Sequence, residues 1–292
     1  MKVNALIFGG DARQIEVGRL LMESGIHVYM AGFDQAENEL MGAQVIKNED
    51  LSYKSMDLFV LPVSGVKKGG VVDAPFSSKP LFMTKEIAES LSEDCIIISG
   101  IATPVLKSIV QRDVLYIFER EDAAILNSIP TAEGALMIAM QKTNHTIHGA
   151  NVMVIGFGRV GTTTAHLFHK VGARVTTALR ETGKFARAKE MNLHPIYMES
   201  IIDEIEYADV IINTVPALIL TEAILARMNP ASMIIDLASE PGGTDFEAAE
   251  KAGIQVIHAL SLPGKIAPKT AGEILGHVLI GAVKEWKKER GL

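Results

Sequence analysis

The clearest chemical feature is the run VMVIGFGRVGTTTAHLF at residues 152–168. It sets Gly156, Gly158 and Gly161 in G-x-G-x-x-G spacing, between an apolar β run and the start of a helical one. That context gives the spacing its meaning. Gly156 permits a tight turn, Gly158 lets a pyrophosphate approach the backbone, and Gly161 lets the helix pack closely on the sheet. Arg159 and Val160 open the helix, whose free N–H groups and partial positive charge favour an anion. The chemistry implied is dinucleotide binding.

The end of the next β run decides which dinucleotide. There TTALRETGKFARA places Arg180, Glu181, Thr182 and Lys184. Arg180 is placed to meet the 2′-phosphate of NADP. A charge-assisted hydrogen bond contributes about 1.5–3 kcal/mol, so one arginine would favour NADP by roughly 10- to 150-fold. Glu181 pointing inward would favour NAD instead. NADP is the expected cofactor, with NAD the alternative. Further along, INTVP ends another β run where the nicotinamide half would lie. Asn213 and Thr214 can hydrogen-bond its ribose or carboxamide there, and Pro216 stiffens the turn. DLASEPGGTDF follows a fifth run, with Asp236 either a catalytic carboxylate or the cap of a turn.

The chain begins with a second, weaker version of the same plan, IFGGDARQIEVGRLL at residues 7–21. It lacks the third glycine, and Asp11 facing inward would repel a phosphate. Such a loop suits a small anion or a hydroxyl, with Gly10 and Arg13 beside it. Ser64 and Ser99 end later runs of the same half and would line the same edge.

These residues sit on short apolar β runs that alternate with helical patterns through both halves. Five runs are expected in the first half (NALIFGG, HVYMAGF, LFVLPVS, CIIISGI, VLYIFER). Five more are expected in the second (ANVMVIGFG, RVTTALR, DVIINTV, SMIIDLAS, IQVIHAL). Near-continuous apolar strands separated by helices imply parallel sheets covered on both faces. The fold expected is α/β, with two doubly wound, Rossmann-like domains joined by two long helices in a formate/glycerate-dehydrogenase-like arrangement. The first domain spans 1–127, a connecting helix 128–148, the dinucleotide domain 149–270, and a returning C-terminal helix 271–292. Pro130 and Thr131 would precede the connecting helix, with Glu133 in its first turn and Asn127 at its entrance. Ligands of such sheets bind outside the carboxyl ends of the strands, so both sites are expected to face a cleft between the domains.

A net charge of −7 argues against nucleic-acid or anionic-membrane partners. No apolar stretch reaches the roughly 18 residues that span a bilayer. The single cysteine, Cys95, permits no disulfide within the chain, which fits a reducing cytoplasm. The eight histidines form no compact ligand set, so no metal is expected.

Taken together, GGDARQ, AGFDQ, LPVSG, FEREDAAILNSIPTAEG, GFGRVG, INTVP, DLASEPGGTDF and LPGKIAPKTAG resemble the A subunits of dipicolinate synthase, an enzyme of spore-forming bacteria. The resemblance covers nearly the whole chain. It implies oxidation of a dihydrodipicolinate-type intermediate to dipicolinate, with hydride transfer to NAD(P)⁺. It also implies a partner, the flavoprotein-like B subunit, and a place in the mother-cell cytoplasm during sporulation. Aromatisation drives such a step, so the protein must chiefly position a ring with two carboxylates and manage one proton. Gly10, Arg13, Ser64, Ser99, Asn127 and Lys265 are then candidates for holding the substrate, Lys265 from a strand end after LPG. Glu133, Asp236 and His258 are candidates for the proton. Two other readings stay open: a binding or regulatory scaffold for the B subunit, and an alanine-dehydrogenase-like enzyme, whose ending LPGKIAPKTAG is similar. Self-association is also open.

Overall fold

The unbroken apolar runs are strands buried on both faces. The computed structural model describes residues 3–36, 40, 42–46 and 52–289. The last residues of the basic ending, 290–292, lie outside that set. In β1 (Asn4–Phe8), Ala5 and Ile7 enter one apolar cluster and Leu6 and Phe8 another. In the corresponding strand of the second half, Asn151–Ile155, Val152 and Val154 divide in the same way from Met153 and Ile155. Alternate side chains of a strand point to opposite faces. Each sheet therefore carries two cores, and an all-apolar strand results.

The chain forms two compact units, one of Met1–Leu126 with Ala267–Leu292, the other of Asn127–Ile266. In the first, β1 is joined by β2 (His27–Ala31), β3 (Gln44–Val45) and β4 (Leu58–Val60). After a small antiparallel pair, β5 (Val71–Val72) and β6 (Leu81–Phe82), come β7 (Ile96–Ser99) and β8 (Val114–Tyr116). The main sheet runs in the order β3-β2-β1-β4-β7-β8, all parallel. The second unit holds β9 (Asn151–Ile155), β10 (Arg174–Leu179), β11 (His194–Tyr197), β12 (Val210–Asn213), β13 (Met233–Asp236) and β14 (Gln255–His258). Its order is β11-β10-β9-β12-β13-β14. Both follow the doubly wound 3-2-1-4-5-6 pattern of dinucleotide-binding sheets. Each sheet thus has six strands rather than the five expected. The additional ones, β3 and β11, are sheet edges, one only two residues long and the other carrying Pro195. Proline is tolerated at such an edge.

The connecting helix, α4 (Glu121–Lys142), starts earlier than 128 and holds Pro130 inside it, so Glu133 is mid-helix and not in the first turn. Ala123 packs in the core of the first unit, and Ala135 and Ala139 in that of the second. Contrary to the expectation that no apolar stretch would reach the length that spans a bilayer, this one helix among the described residues is long and apolar enough to cross a membrane, with a mean hydropathy of 1.3.

The helix after β1, α1 (Ala12–Glu23), packs on α11 (Pro268–Glu289) through glycine. A Cβ at Gly272 would lie 2.5 Å from Glu16 Cβ and 2.6 Å from the Arg13 carbonyl oxygen, whereas one at Gly281 would meet nothing. Alanine gains about 1 kcal/mol over glycine within a helix, and overpacking costs about 1–3 kcal/mol. Gly281→Ala should therefore raise the melting temperature and Gly272→Ala lower it, a difference in sign that thermal denaturation of the two variants will read.

Candidate dinucleotide site and the edge of the first sheet

Three glycines of the second unit do three different things. Gly156 adopts φ +95°, and a Cβ there would strike Thr214 Oγ1 at 2.5 Å. Gly161, in α5 (Arg159–Lys170), could carry no Cβ either, since it would sit 2.2 Å from the Gly156 carbonyl oxygen. Gly158 is different: a Cβ would meet nothing within 4 Å. Its φ of −88° would suit any residue, so the protein itself makes no demand for glycine at this position. Gly158 is also the N-cap of α5, and no side chain caps that helix. The N–H groups of the first turn, among them those of Val160 and Gly161, have no helical acceptor. The open space over Gly158, against an uncapped helix N-terminus, fits a pyrophosphate.

At the end of β10, Arg180, Glu181 and Thr182 are exposed. Lys184 Nζ donates to Glu181 Oε1 at 2.6 Å, which occupies the acid, while Arg180 makes no ion pair among the described residues.

The two polar residues expected to meet the nicotinamide half turn inward instead. Asn213 is fully buried; its Nδ2 donates to Val215 O and Asp236 Oδ1, and its Oδ1 accepts from Val215 N. Thr214 Oγ1 donates to Ile155 O at 2.8 Å, just before the glycine turn. Both brace the loops that frame the site, and only Pro216 of the three is exposed. Asp236 is fully buried and accepts four hydrogen bonds. Oδ1 takes Asn213 Nδ2 and Ala238 N; Oδ2 takes Gly243 N and Thr244 Oγ1. Of its two readings, turn cap or base, this geometry is that of the cap. His258 Nε2 lies 3.3 Å from Ala238 O, and its ring lies 5.1 Å from that of Phe246. Glu133 is exposed on α4. Glu240, passed over in DLASEPGGTDF, is an exposed acid on the loop that Asp236 ties down.

In the first unit the glycine turn is closed by the chain itself. Asp11 caps α1 through Arg13 N, in a capping box with Gln14. The same carboxylate chelates the buried Arg13 guanidinium, through Nε at 2.9 Å and Nη2 at 2.6 Å. Gly10 N donates to Asp73 O at 2.6 Å. This loop has no uncapped helix end to offer a pyrophosphate, and the Arg13 guanidinium beside it is paired with Asp11. Ser64 Oγ donates to Asp73 Oδ2, bringing a residue with no motif of its own to this edge. Ser99 is fully buried and donates to Ile101 O, so its hydroxyl is committed. Asn127 lies on α4, with its Oδ1 buried and unpartnered. Lys265 does not end a strand: it is exposed on α10 (Leu262–Ile266), a short helix entered through Ser261 at φ +59°.

Sheet order and glycine turn together define a dehydrogenase-type α/β protein. Residues 123–292 match the alanine dehydrogenase/PNT C-terminal domain, and residues 4–120 match the N-terminal domain of the dipicolinate synthase A subunit. The A subunit of dipicolinate synthase from Bacillus subtilis (strain 168) is 41% identical over 288 residues, 98% of this chain and 97% of that protein. The crystal structure of the dipicolinate synthase A subunit from Bacillus halodurans aligns with a TM-score of 0.93 at 42% identity, covering 96% of this chain and 97% of that one. Transhydrogenase from Sinorhizobium meliloti shares the fold at a TM-score of 0.70 and 16% identity, over 97% of this chain and 94% of that one. The chain belongs to the family of dipicolinate synthase A subunits.

Proposed function

We propose that this chain is the oxidoreductase subunit of a dipicolinate synthase, oxidising a dihydrodipicolinate-type intermediate to dipicolinate with NADP⁺ as hydride acceptor. The observation that carries the reading is the uncapped helix behind Gly158, with open space where a pyrophosphate would lie. The substrate loses one hydride and one proton, and a 4-hydroxy-tetrahydro form would lose water as well. The nicotinamide, when bound, supplies the hydride acceptor. The chain's own residues hold the rest: the first turn of α5 the pyrophosphate, Arg180 the 2′-phosphate, and the edge around Arg13 and Ser64 a substrate carboxylate. Glu133, His258 and Glu240 are the acids and bases left for the proton, because every oxygen of Asp236 is already engaged. Arg180, in no ion pair among the described residues, beside a Glu181 that pairs with Lys184 supports NADP over NAD. The mother-cell cytoplasm and a flavoprotein-like B subunit complete the proposal.

The test follows reduced nicotinamide and the ultraviolet band of the aromatic product together, with the intermediate generated in situ. Both signals should rise with this chain and NADP⁺. Arg180→Ala should raise the KM for NADP⁺ by about tenfold or more and leave that for NAD⁺ unchanged. Product without nicotinamide reduction, appearing only when the B subunit is added, would overturn the proposal and leave the glycine turn a regulatory site.

A further inference from the structure

At the carboxyl edge of the first sheet, one of the chain's own carboxylates already occupies groups that a ligand carboxylate would use. Ser64 Oγ donates to Asp73 Oδ2 at 2.6 Å and Lys67 Nζ to Asp73 Oδ1 at 2.6 Å. Arg13 adds its charge to the same carboxylate, while Asp11 engages Arg13 Nε and Nη2. Burial alone would raise the pKa of Asp73; the bonds from Lys67 and Ser64 outweigh it and hold the acid below its ordinary range.

The backbone and the side chain of Asp73 have separate duties. The peptide carbonyl accepts from Gly10 N, and a Cβ on Gly9 would strike that same oxygen at 2.8 Å. The backbone is therefore fixed against the β1 turn. The carboxylate is not: its side chain is 38% exposed and that of Lys67 56% exposed. An ion pair so open to water contributes little to stability. Nothing in the fold requires it to persist.

We infer that Asp73 is a tethered stand-in for a ligand carboxylate: a dicarboxylate bound at this edge takes over Ser64 Oγ and Lys67 Nζ, and the return of Asp73 helps to expel it. The inference rests on the proposed reading of this edge as the place where a substrate carboxylate is held. Substrate and product of that reaction carry the same two carboxylates, so groups that grip one grip the other equally. Release of product then becomes slow. A carboxylate tethered through the chain beside these groups competes at high effective concentration, weakening product retention without removing the groups that recognise substrate.

Calorimetric titration of the full chain with dipicolinate tests this. Asp73→Ala and Asp73→Asn, each confirmed folded by its melting curve, should bind about two- to fivefold more tightly than the wild type. Lys67→Ala should bind more weakly, and adding Asp73→Ala to it should restore less than the same change gains in the wild type, because only Ser64 Oγ is then freed. Wild-type binding that does not tighten in either Asp73 variant would overturn the stand-in and leave the dicarboxylate site in place. A gain of the same size in the Lys67→Ala background would mean plain charge repulsion, and would overturn it too. No binding by the wild type or by any variant would instead remove the dicarboxylate site, and the stand-in with it. Binding seen only in the Asp73 variants would be its strongest support.

Discussion

Gly158→Ala will leave the second unit folded and as stable as the wild type and, on the proposed reading of the glycine turn, will cost it the nicotinamide cofactor. The backbone at this position is extended, at φ −88° and ψ −162°, and a methyl group meets no protein atom. Alanine caps a helix worse than glycine, by about 0.5–1 kcal/mol, but it also restricts the unfolded chain, a gain of about 0.4–1 kcal/mol. The two effects nearly cancel. The methyl would stand where the pyrophosphate must approach the first turn of α5, so affinity for NADPH should fall at least about tenfold, or 1.4 kcal/mol. Gly161→Ala provides the contrast. Its Cβ would lie 2.2 Å from the Gly156 carbonyl oxygen, with backbone rather than a flexible side chain having to move. That variant should lose both cofactor and stability, by about 1–3 kcal/mol. Melting curves and a fluorescence titration with NADPH, run on both, separate the cases. Wild-type affinity in Gly158→Ala would mean that no pyrophosphate sits over this turn.

The same contrast marks what can be read from the sequence. G-x-G-x-x-G spacing reports backbone geometry, and backbone geometry is what the three glycines set; their roles are local and legible. The two-sided cores are legible for a related reason, since a strand such as NVMVI has no polar face to offer water. Edge strands escape because they need not be apolar, and in HPIY a proline hides the pattern. Pro130 misleads in the other direction, because the first-turn preference of proline is a tendency that α4 does not follow.

Side-chain direction is where reading by position stops. Asn213 and Thr214 stand at a strand end, as residues near a nicotinamide would, yet their polar atoms are used up by Val215, Asp236 and Ile155. The partner that each polar group finds is a tertiary fact. So is the place of Asp73, which belongs to no motif and reaches the β1 turn only because the β5–β6 hairpin brings it there. Arg13 was legible as a cation at a helix start. That Asp11, two residues earlier, chelates it was not.

Asp236 shows how the two candidate roles of one residue separate by experiment. As a brace it answers donors from three stretches of chain: Asn213 at the end of β12, Ala238 just after β13, and Gly243 with Thr244 further along the loop. The surroundings are tight, for a Cβ on Gly243 would lie 2.3 Å from Asn213 Nδ2. Asp236→Ala orphans all four donors. Each costs about 1–3 kcal/mol when buried without a partner, and water entering the vacated space recovers part, leaving a net loss of about 3–5 kcal/mol. At about 2–4 °C per kcal/mol, the melting transition of this unit should fall by about 6–20 °C. Asp236→Asn keeps the shape but turns one acceptor into a donor. Thr244 can rotate its hydroxyl to accept, whereas Gly243 N cannot, so a single orphan remains and the loss is about 1–3 kcal/mol. A brace therefore predicts that stability and turnover decline together, with Asn the milder change. A proton acceptor predicts the reverse: Asp236→Asn would melt with the wild type and lose turnover by orders of magnitude. Melting curves and kcat for the two variants decide between them, and the four occupied positions around the carboxylate favour the brace.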